Sequence, residues 1–309
     1  MIEASNLTKT YGDKTAVDGL NFTVAPGLVT GFLGPNGSGK STTMRMIVGL
    51  DRPTSGRVTV NGKPYAEHAA PLHEVGVLLD AKAAHPARTA RNHLRCIART
   101  HGISNRRVDD VIALTGLESV AGKRVGKFSL GMGQRVGIAS ALLGDPQTVI
   151  LDEPVNGLDP EGVQWVRSMC RSLAAEGRAV LLSSHLMDEM AKTADRVIVL
   201  GRGRVIADAS MDEIIASSGG QSIRVRSNNI ARLAQLLAPH GAVVTTTAAD
   251  TAEIAGSDTR QVAEVAASAG IVLFEIATVQ ASLEEAFFAL TDDAVEYRTA
   301  NHNAPENNR

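Results

Sequence analysis

Short apolar runs recur along the first two thirds of the chain, separated by stretches with helical periodicity. Candidate strands occupy residues 17–24, 28–33, 75–79, 149–151, 180–182 and 197–200. A helix is predicted to begin at Lys40 and to end at Gly49, because apolar residues recur at helical spacing between them. Residues 88–144 show helical periodicity without a strong strand pattern. This alternation predicts an α/β domain with a mostly parallel sheet and a helical insert over about residues 88–144.

A different order of elements follows residue 220. Strands are predicted at residues 222–226, 243–247, 252–255 and 271–276, with helices at 230–237, 261–269 and 282–290. The order β-α-β-β-α-β favours a small α+β, ferredoxin-like sandwich. Small flexible residues at 217–220 make the best linker candidate. We therefore expect one domain over residues 1–218, an accessory domain over 221–291 and a flexible tail over 292–309.

Composition argues against several kinds of partner and compartment. The formal net charge is −2, and the Lys and Arg residues are not clustered with aromatics, so a nucleic-acid partner is not expected. The two cysteines, Cys96 and Cys170, lack metal-site spacing, and we expect both to be buried reduced thiols. No secretory signal and no apolar run long enough to cross a bilayer is recognised, so a cytoplasmic location is expected.

A glycine-rich loop lies between a predicted strand and the helix predicted at Lys40. The residues expected to contact nucleotide are Gly34, Pro35, Asn36, Gly37, Ser38, Gly39, Lys40, Ser41 and Thr42. Glycines allow several backbone NH groups to converge on phosphate oxygens at a helix N-terminus. Lys40 would add a positive charge at the β and γ phosphates, and the Ser41 hydroxyl would bind Mg²⁺. The loop predicts a P-loop fold that binds ATP, although a kinase, a GTPase or a helicase could carry the same loop.

Two adjacent carboxylates end the predicted strand at residues 149–151. A parallel strand delivers its C-terminal residues to the ligand edge of a sheet. Asp152 is therefore a candidate Mg²⁺ ligand, and Glu153 is a candidate to orient or deprotonate the attacking water. A solvated acidic turn is the alternative interpretation of this pair.

Residues 128–135, with the sequence FSLGMGQR, narrow the choice among P-loop proteins. They resemble the signature of ABC transporter ATPases, and the resemblance covers residues 2–216. Ser129 can cap a helix that runs to about Leu143, which creates an anion site. The resemblance implies that Ser129 and Gly131 grip the γ phosphate bound by a second subunit, so that a homodimer or a pair of ATPase subunits is required. The sequence departs from the common signature at Leu130 and Met132.

Four further residues lie at motif positions of that family, and three of them match. Asp159, in the segment Asn156-Gly157-Leu158-Asp159, resembles the loop along the dimer interface, although a plain turn is the alternative. His185 resembles the histidine that senses the γ phosphate, and it is assigned a catalytic role with Glu153 and Lys40. Tyr11 resembles the aromatic residue that stacks on adenine, with a hairpin-turn tyrosine as the alternative. Asp80 stands where the family has glutamine; it could reach Mg²⁺ or water, or be a simple loop acid.

The C-terminal segment 282–291 resembles the accessory domain of export-type subunits related to daunorubicin and bacitracin resistance. The resemblance implies an ATPase that powers export of a drug, antibiotic or lipid-like substrate through a separate membrane permease. It also implies a peripheral position on the inner face of the membrane. A dimer-stabilising module without a ligand is the simpler role for the accessory domain. A soluble ABC-type ATPase acting mechanically on another partner is the alternative function, disfavoured by the single phosphate loop and the absence of a long heptad run.

Overall fold

The computed structural model describes residues 1–81, 83–217, 221–280 and 283–291. The described chain divides into two compact units, Met1–Ala209 and Ser210–Ala289. The predicted linker positions 218–220 and the predicted tail at 292–309 lie outside the described residues.

Two sheets build the first unit, which has nine strands among its described residues. They are β1 (Ile2–Tyr11), β2 (Lys14–Val24), β3 (Val29–Leu33), β4 (Ser55–Val60), β5 (Val75–Leu78), β6 (Thr148–Leu151), β7 (Ala179–Ser183), β8 (Arg196–Gly201) and β9 (Arg204–Ser210). One sheet has six strands in the order β5-β6-β7-β3-β8-β9, and β5 to β6, β6 to β7, β7 to β3 and β3 to β8 are parallel. The mostly parallel sheet predicted from the sequence is confirmed. All residues of β3, β6 and β7 are buried, which explains why these strands are continuous apolar runs.

The other sheet is antiparallel, with the order β2-β1-β4. The sequence did not predict β1 or β4, and it predicted only the second part of β2. Buried residues of β1 alternate with polar ones, and its pairing with β2 shifts register after Ala4, Leu7 and Lys9. A core of apolar side chains unites this sheet with α1 (Lys40–Ile47) and the parallel sheet, and in it the rings of Phe22 and Phe32 lie 5.6 Å apart.

Helices occupy the connections of the first unit. The remaining described helices there are α2 (Pro71–Glu74), α3 (Ala90–Thr100), α4 (Asn105–Leu114), α5 (Leu130–Leu142), α6 (Pro160–Ala175) and α7 (Met187–Thr193). The three helices α3, α4 and α5 lie between β5 and β6, so the predicted helical insert is confirmed. Side chains cap each of the three at the N-terminus: Thr89, Ser104 and Ser129 accept hydrogen bonds from the backbone.

The second unit is a small α+β sandwich. Its described elements are α8 (Met211–Ser217), β10 (Gln221–Ser227), α9 (Ile230–Leu237), β11 (Val243–Ala248), β12 (Thr251–Ala255), α10 (Thr259–Ser268), β13 (Leu273–Gln280) and most of α11 (Leu283–Thr291). The four strands are antiparallel in the order β11-β12-β10-β13, which confirms the ferredoxin-like arrangement. Alternate strand residues such as Ile223 and Val225 are buried with Leu233 and Val262 of the two helices.

The two cysteines have different environments. Cys170 on α6 is fully buried, and burial raises the pKa of its thiol to about 12, which makes it an inert core thiol. Cys96 on α3 is exposed, so the expectation that both thiols are buried was wrong for this residue. The helix presents Leu94 and Ala98 to the core, which leaves Cys96 between them on another face.

Candidate active site

Three adjacent strands of the parallel sheet bring the predicted site residues together. The glycine-rich loop follows β3, Asp152 and Glu153 follow β6, and His185 follows β7 by two residues. Because β6, β7 and β3 are neighbours and run parallel, their carboxyl ends meet at one edge of the sheet. Sequence-distant residues therefore converge on one site.

The N-terminus of α1 is built to receive an anion. Gly39 occupies the cap position at φ 102°, no side chain caps the helix, and its first turn contains no acidic residue. The Ser38 hydroxyl is buried and has no hydrogen-bond partner among the described residues. A Cβ atom at Gly39 would lie 2.7 Å from the carbonyl oxygen of Ala16, so only glycine fits. Free amides and an unpaired hydroxyl at a helix N-terminus match the needs of bound phosphate.

Lys40 lies at the first turn of this helix with its ammonium group folded over the loop. Its Nζ donates hydrogen bonds to the carbonyl oxygens of Gly34 at 2.6 Å and Pro35 at 3.1 Å. Burial lowers the pKa of Lys40, and the carboxylates of Glu153 and Asp152 act in the opposite direction. The charge is therefore held beside the acidic pair, where phosphate oxygens could accept the same donors.

Asp152 joins the loop to the neighbouring strand. Its Oδ2 accepts a hydrogen bond from the Ser41 hydroxyl at 3.0 Å, and its Oδ1 accepts one from the Ser183 hydroxyl at 2.5 Å. A carboxylate and a hydroxyl side by side are the kind of oxygen donors that Mg²⁺ takes in nucleotide sites, where phosphates and water complete the coordination. The residues present therefore fit a magnesium ion, and the ligands predicted from the sequence, Ser41 and Asp152, are adjacent.

Glu153 and His185 are in direct contact. The His185 ring Nδ1 lies 2.7 Å from Glu153 Oε2, and the backbone NH of His185 donates to the same oxygen at 3.3 Å. His185 is exposed, whereas the Glu153 side chain is mostly buried. The Glu153 carboxylate is thus fixed at the edge of the site by its contact with the His185 ring. A carboxylate in this position can accept a proton from a water molecule.

A cavity of about 450 Å³ lies over the glycine-rich loop. Its lining contains Tyr11, Asn36, Gly37, Ser38, Gly39, Lys40, Ser41, Thr42, Asp152 and Glu153, together with Lys14 and Ala16. Tyr11 is about half exposed, and its hydroxyl donates to Asp51 at 3.0 Å, which fixes the ring beside the cavity. Lys14 and Ala16 were not identified from the sequence as residues of this cavity. In the structure, Lys14 pairs with Tyr11 in the β1-β2 hairpin, and this pairing brings Lys14 to the cavity beside Tyr11.

Asp80 follows β5 and lines a separate cavity of about 550 Å³ that Ser41 and Asp152 also reach. The rest of its lining is largely apolar and includes the exposed Leu50. Asp80 is thus near the predicted magnesium ligands without being part of the cavity over the phosphate loop.

Ser129 and Gly131 of the signature lie apart from the phosphate loop of their own chain. Ser129 accepts a hydrogen bond from the Met132 amide at 3.2 Å and lines a different cavity, with Phe128 and Pro86. A Cβ atom at Gly131 would lie 2.7 Å from the carbonyl oxygen of Gly157, so the start of α5 touches the turn that leads to Asp159. Asp159 itself caps α6 by accepting from the Gly162 amide at 2.9 Å. These residues form a second, separate group.

Comparisons with known proteins agree with this geometry. A family model described as ABC transporter matches residues 17–156. The ABC transporter ATP-binding protein YhcH of Bacillus subtilis (strain 168) is 34% identical over 300 residues, which cover 96% of this chain and 97% of that protein. The chain belongs to the ABC transporter ATP-binding proteins. It is an ATP-binding subunit and an ABC-type ATPase.

Two further relatives and one solved structure of this family are informative. The bacitracin transport ATP-binding protein BcrA of Bacillus licheniformis is 40% identical, covering 69% of this chain and 71% of that protein. The Nod factor export ATP-binding protein I of Rhizobium meliloti is 40% identical, and the match covers 77% of this chain and 73% of that protein. A bacterial ABC transporter cassette solved as a dimer superposes with a TM-score of 0.63 at 26% identity. The match covers 68% of this chain and 99% of that structure. Residues 221–284 match a family described as a domain of unknown function.

No helix among the described residues of this ATP-binding subunit is long and apolar enough to cross a membrane.

Proposed function

We propose that this ATPase powers export of a drug, antibiotic or lipid-like substrate through a separate membrane permease. The observation that supports an ATPase working as a pair of chains is the split between two groups of site residues in one chain: the loop with Lys40 and the helix capped by Ser129. The names of the relatives support the direction and the substrate class, because one is a Nod factor export protein and another a bacitracin transport protein.

In the proposed reaction, the amides at the N-terminus of α1 and Lys40 bind the phosphates. Ser41 and Asp152 would hold Mg²⁺, which supplies positive charge against the phosphate oxygens when it is bound. Glu153 orients a water molecule and takes its proton, while His185, in contact with the same carboxylate, responds to the γ phosphate. Tyr11 stacks on the adenine base.

The site is completed by a second copy of the chain in this proposal. Ser129 is exposed where it caps α5, and the buried Gly131 contacts Gly157 in the turn that leads to Asp159. An exposed helix N-terminus favours an anion, yet Ser129 lines a different cavity from the phosphate loop of its own chain. Two copies related by a two-fold axis would place the signature of each over the ATP of the other, so that residues of both chains would enclose each nucleotide.

The permease is proposed to dock at the cavity lined by Asp80 and the apolar side chains around it. Leu50 is 59% exposed beside the apolar lining of this cavity, so it offers apolar surface to a partner. Movement of the helical insert during closure would then act on the docked permease helices. The subunit would lie on the inner face of the membrane through this contact.

Affinity purification from detergent-solubilised membranes tests the proposal. The wild-type chain is expected to bring down one protein with several membrane spans. Leu50→Arg should reduce that recovery at least about tenfold, because a charge would be buried at the interface. Leu114→Arg is the matched control, since Leu114 is 49% exposed and lies at a different cavity, between α4 and α6.

A soluble mechanical ATPase is the alternative function, and the same experiment separates the two. Recovery of a soluble assembly in place of a membrane protein would favour the alternative. Equal recovery of the permease by the Leu50→Arg and wild-type chains would contradict the proposed docking cavity.

A further inference from the structure

The backbone of Glu153 has an unusual conformation. Its φ is 49°, in the left-handed region, which residues with a side chain rarely adopt. Such conformations persist where the surrounding structure over-determines them, and they concentrate at active sites. The contacts that hold this residue therefore bear on its proposed role in hydrolysis.

The NH group of Glu153 is held from one side by Ser183. Glu153 N donates to Ser183 Oγ at 2.9 Å, while the same hydroxyl donates to Asp152 Oδ1. Ser183 is fully buried at the end of β7, two residues before His185. One hydroxyl thus fixes the peptide of Glu153 and the carboxylate of Asp152 together.

The carbonyl group of Glu153 is held from the other side by Gln134. Gln134 Nε2 donates to Glu153 O at 2.7 Å, and the Asn156 amide also donates to this oxygen at 3.2 Å. Gln134 is 3% exposed, and its Oε1 has no hydrogen-bond partner among the described residues. A carbonyl oxygen can only accept, so the side-chain amide must present its NH₂ group to Glu153.

The two holding residues come from different parts of the first unit. Ser183 belongs to the strand that leads to His185, and Gln134 belongs to α5, the helix capped by Ser129. Burial of an amide with one oxygen unpaired is unfavourable, and a leucine or methionine would fill the same space without that cost. The hydrogen bond that Gln134 donates to Glu153 offsets part of this cost.

We propose that Ser183 and Gln134 are positioning residues that clamp the Glu153 peptide in its left-handed turn and so aim its carboxylate at the attacking water. The inference rests on the proposed role of Glu153 as the base. A change of about 1 Å in the position of a catalytic group can cost about 10²-fold in rate, and each clamp contact acts on the peptide next to that group. Both residues would affect the chemical step and leave ATP binding unchanged.

Steady-state ATPase kinetics of Ser183→Ala and Gln134→Met test the clamp. Each variant is expected to lower kcat about tenfold or more, with KM for ATP and binding of a fluorescent ATP analogue within about twofold of wild type. Ser183→Thr keeps the hydroxyl and should restore kcat to within about threefold. Melting temperatures with and without ATP show that each variant folds and binds nucleotide.

A second readout asks whether the clamp acts through the Glu153 carboxylate. Adding Gln134→Met to Glu153→Gln should cause no further loss of the residual rate, because the group that Gln134 positions is already gone. Gln134 is chosen for this test because the Ser183 hydroxyl also donates to Asp152. A further tenfold loss in that background would overturn the proposal, and so would wild-type kcat in both single variants. If the Ser183→Thr variant does not fold, the Gln134→Met results decide.

Failure of the clamp can be told from failure of the proposed function. If Glu153→Gln alone hydrolyses ATP at the wild-type rate, the assignment of Glu153 is wrong. If Glu153→Gln is inactive and both clamp variants turn over normally, only the positioning role is overturned.

Discussion

Glu153→Gln is expected to lower ATP turnover by about 10²- to 10⁴-fold while ATP still binds. The carboxylate lies at the ligand edge of the sheet, where His185 contacts it, and the amide of glutamine cannot accept a proton at neutral pH. The phosphate loop is untouched, so the affinity for ATP is expected to stay within about threefold of wild type. Phosphate release and equilibrium binding of a fluorescent ATP analogue measure the two effects separately.

The same variant should accumulate as an ATP-bound dimer, because closure is no longer followed by hydrolysis. Size-exclusion chromatography with and without ATP measures this change. Glu67→Gln is the matched control, since Glu67 is exposed in a short 3-10 turn away from the site, and it should behave as wild type. A Glu153→Gln chain that stays monomeric at saturating ATP would contradict the dimeric sandwich.

Lys40→Met is expected to weaken ATP binding by at least about tenfold. Lys40 is the cation that the loop holds, and hydrogen bonds from a charged donor to phosphate contribute about 1.5–3 kcal/mol, where 1.4 kcal/mol is a factor of ten. Methionine retains the length of the side chain and removes both the charge and the donors. Isothermal titration with ATP measures the affinity.

The control for this substitution is Lys63→Met, an exposed lysine in the turn after β4. Its affinity for ATP should equal that of the wild-type chain, so that a general effect of charge on binding is excluded. Unimpaired ATP binding by Lys40→Met would refute the phosphate role of Lys40.

Local sequence signals predicted the core of the site. The glycine-rich loop and the carboxylate pair could be predicted because each is contiguous in sequence and adjoins a fully buried strand. Parallel strands are buried on both faces, so they leave apolar runs that are easy to recognise. The convergence of Lys40, Asp152 and His185 then follows from the strand order.

Features that depend on contacts between distant residues could not be predicted. Half or more of the positions in β1 and β4 are not buried. Because these positions carry polar residues, the two strands lack the continuous apolar run by which the parallel strands were recognised. Ser183 meets Asp152 across 31 positions and Gln134 meets Glu153 across 19, and neither residue type at its position signals that contact. Only the folded arrangement identifies them.

At Leu130 the sequence departs from the common signature, and the structure shows how the larger side chain is accommodated. Leu130 replaces the usual glycine and is 47% exposed at the start of α5. A Cβ atom at Gly157 would lie 2.5 Å from Leu130 Cδ2, and Gly157 has φ 73°. The larger signature residue is thus accommodated by a glycine in the neighbouring turn.

Mixing two inactive variants tests most directly the claim that each chain carries half of each site. Lys40→Met removes the phosphate-loop half, and Ser129→Arg blocks the exposed signature half without disturbing a buried position. In an equal mixture, about half of the dimers are heterodimers. Each heterodimer has one intact composite site out of two, so the mixture contains about a quarter of the intact sites of the wild-type protein. Our account expects ATPase activity in the mixture to rise well above that of either variant alone, up to about this fraction. Activity in the mixture no higher than in the separate variants, under conditions where heterodimers are detected, would contradict it.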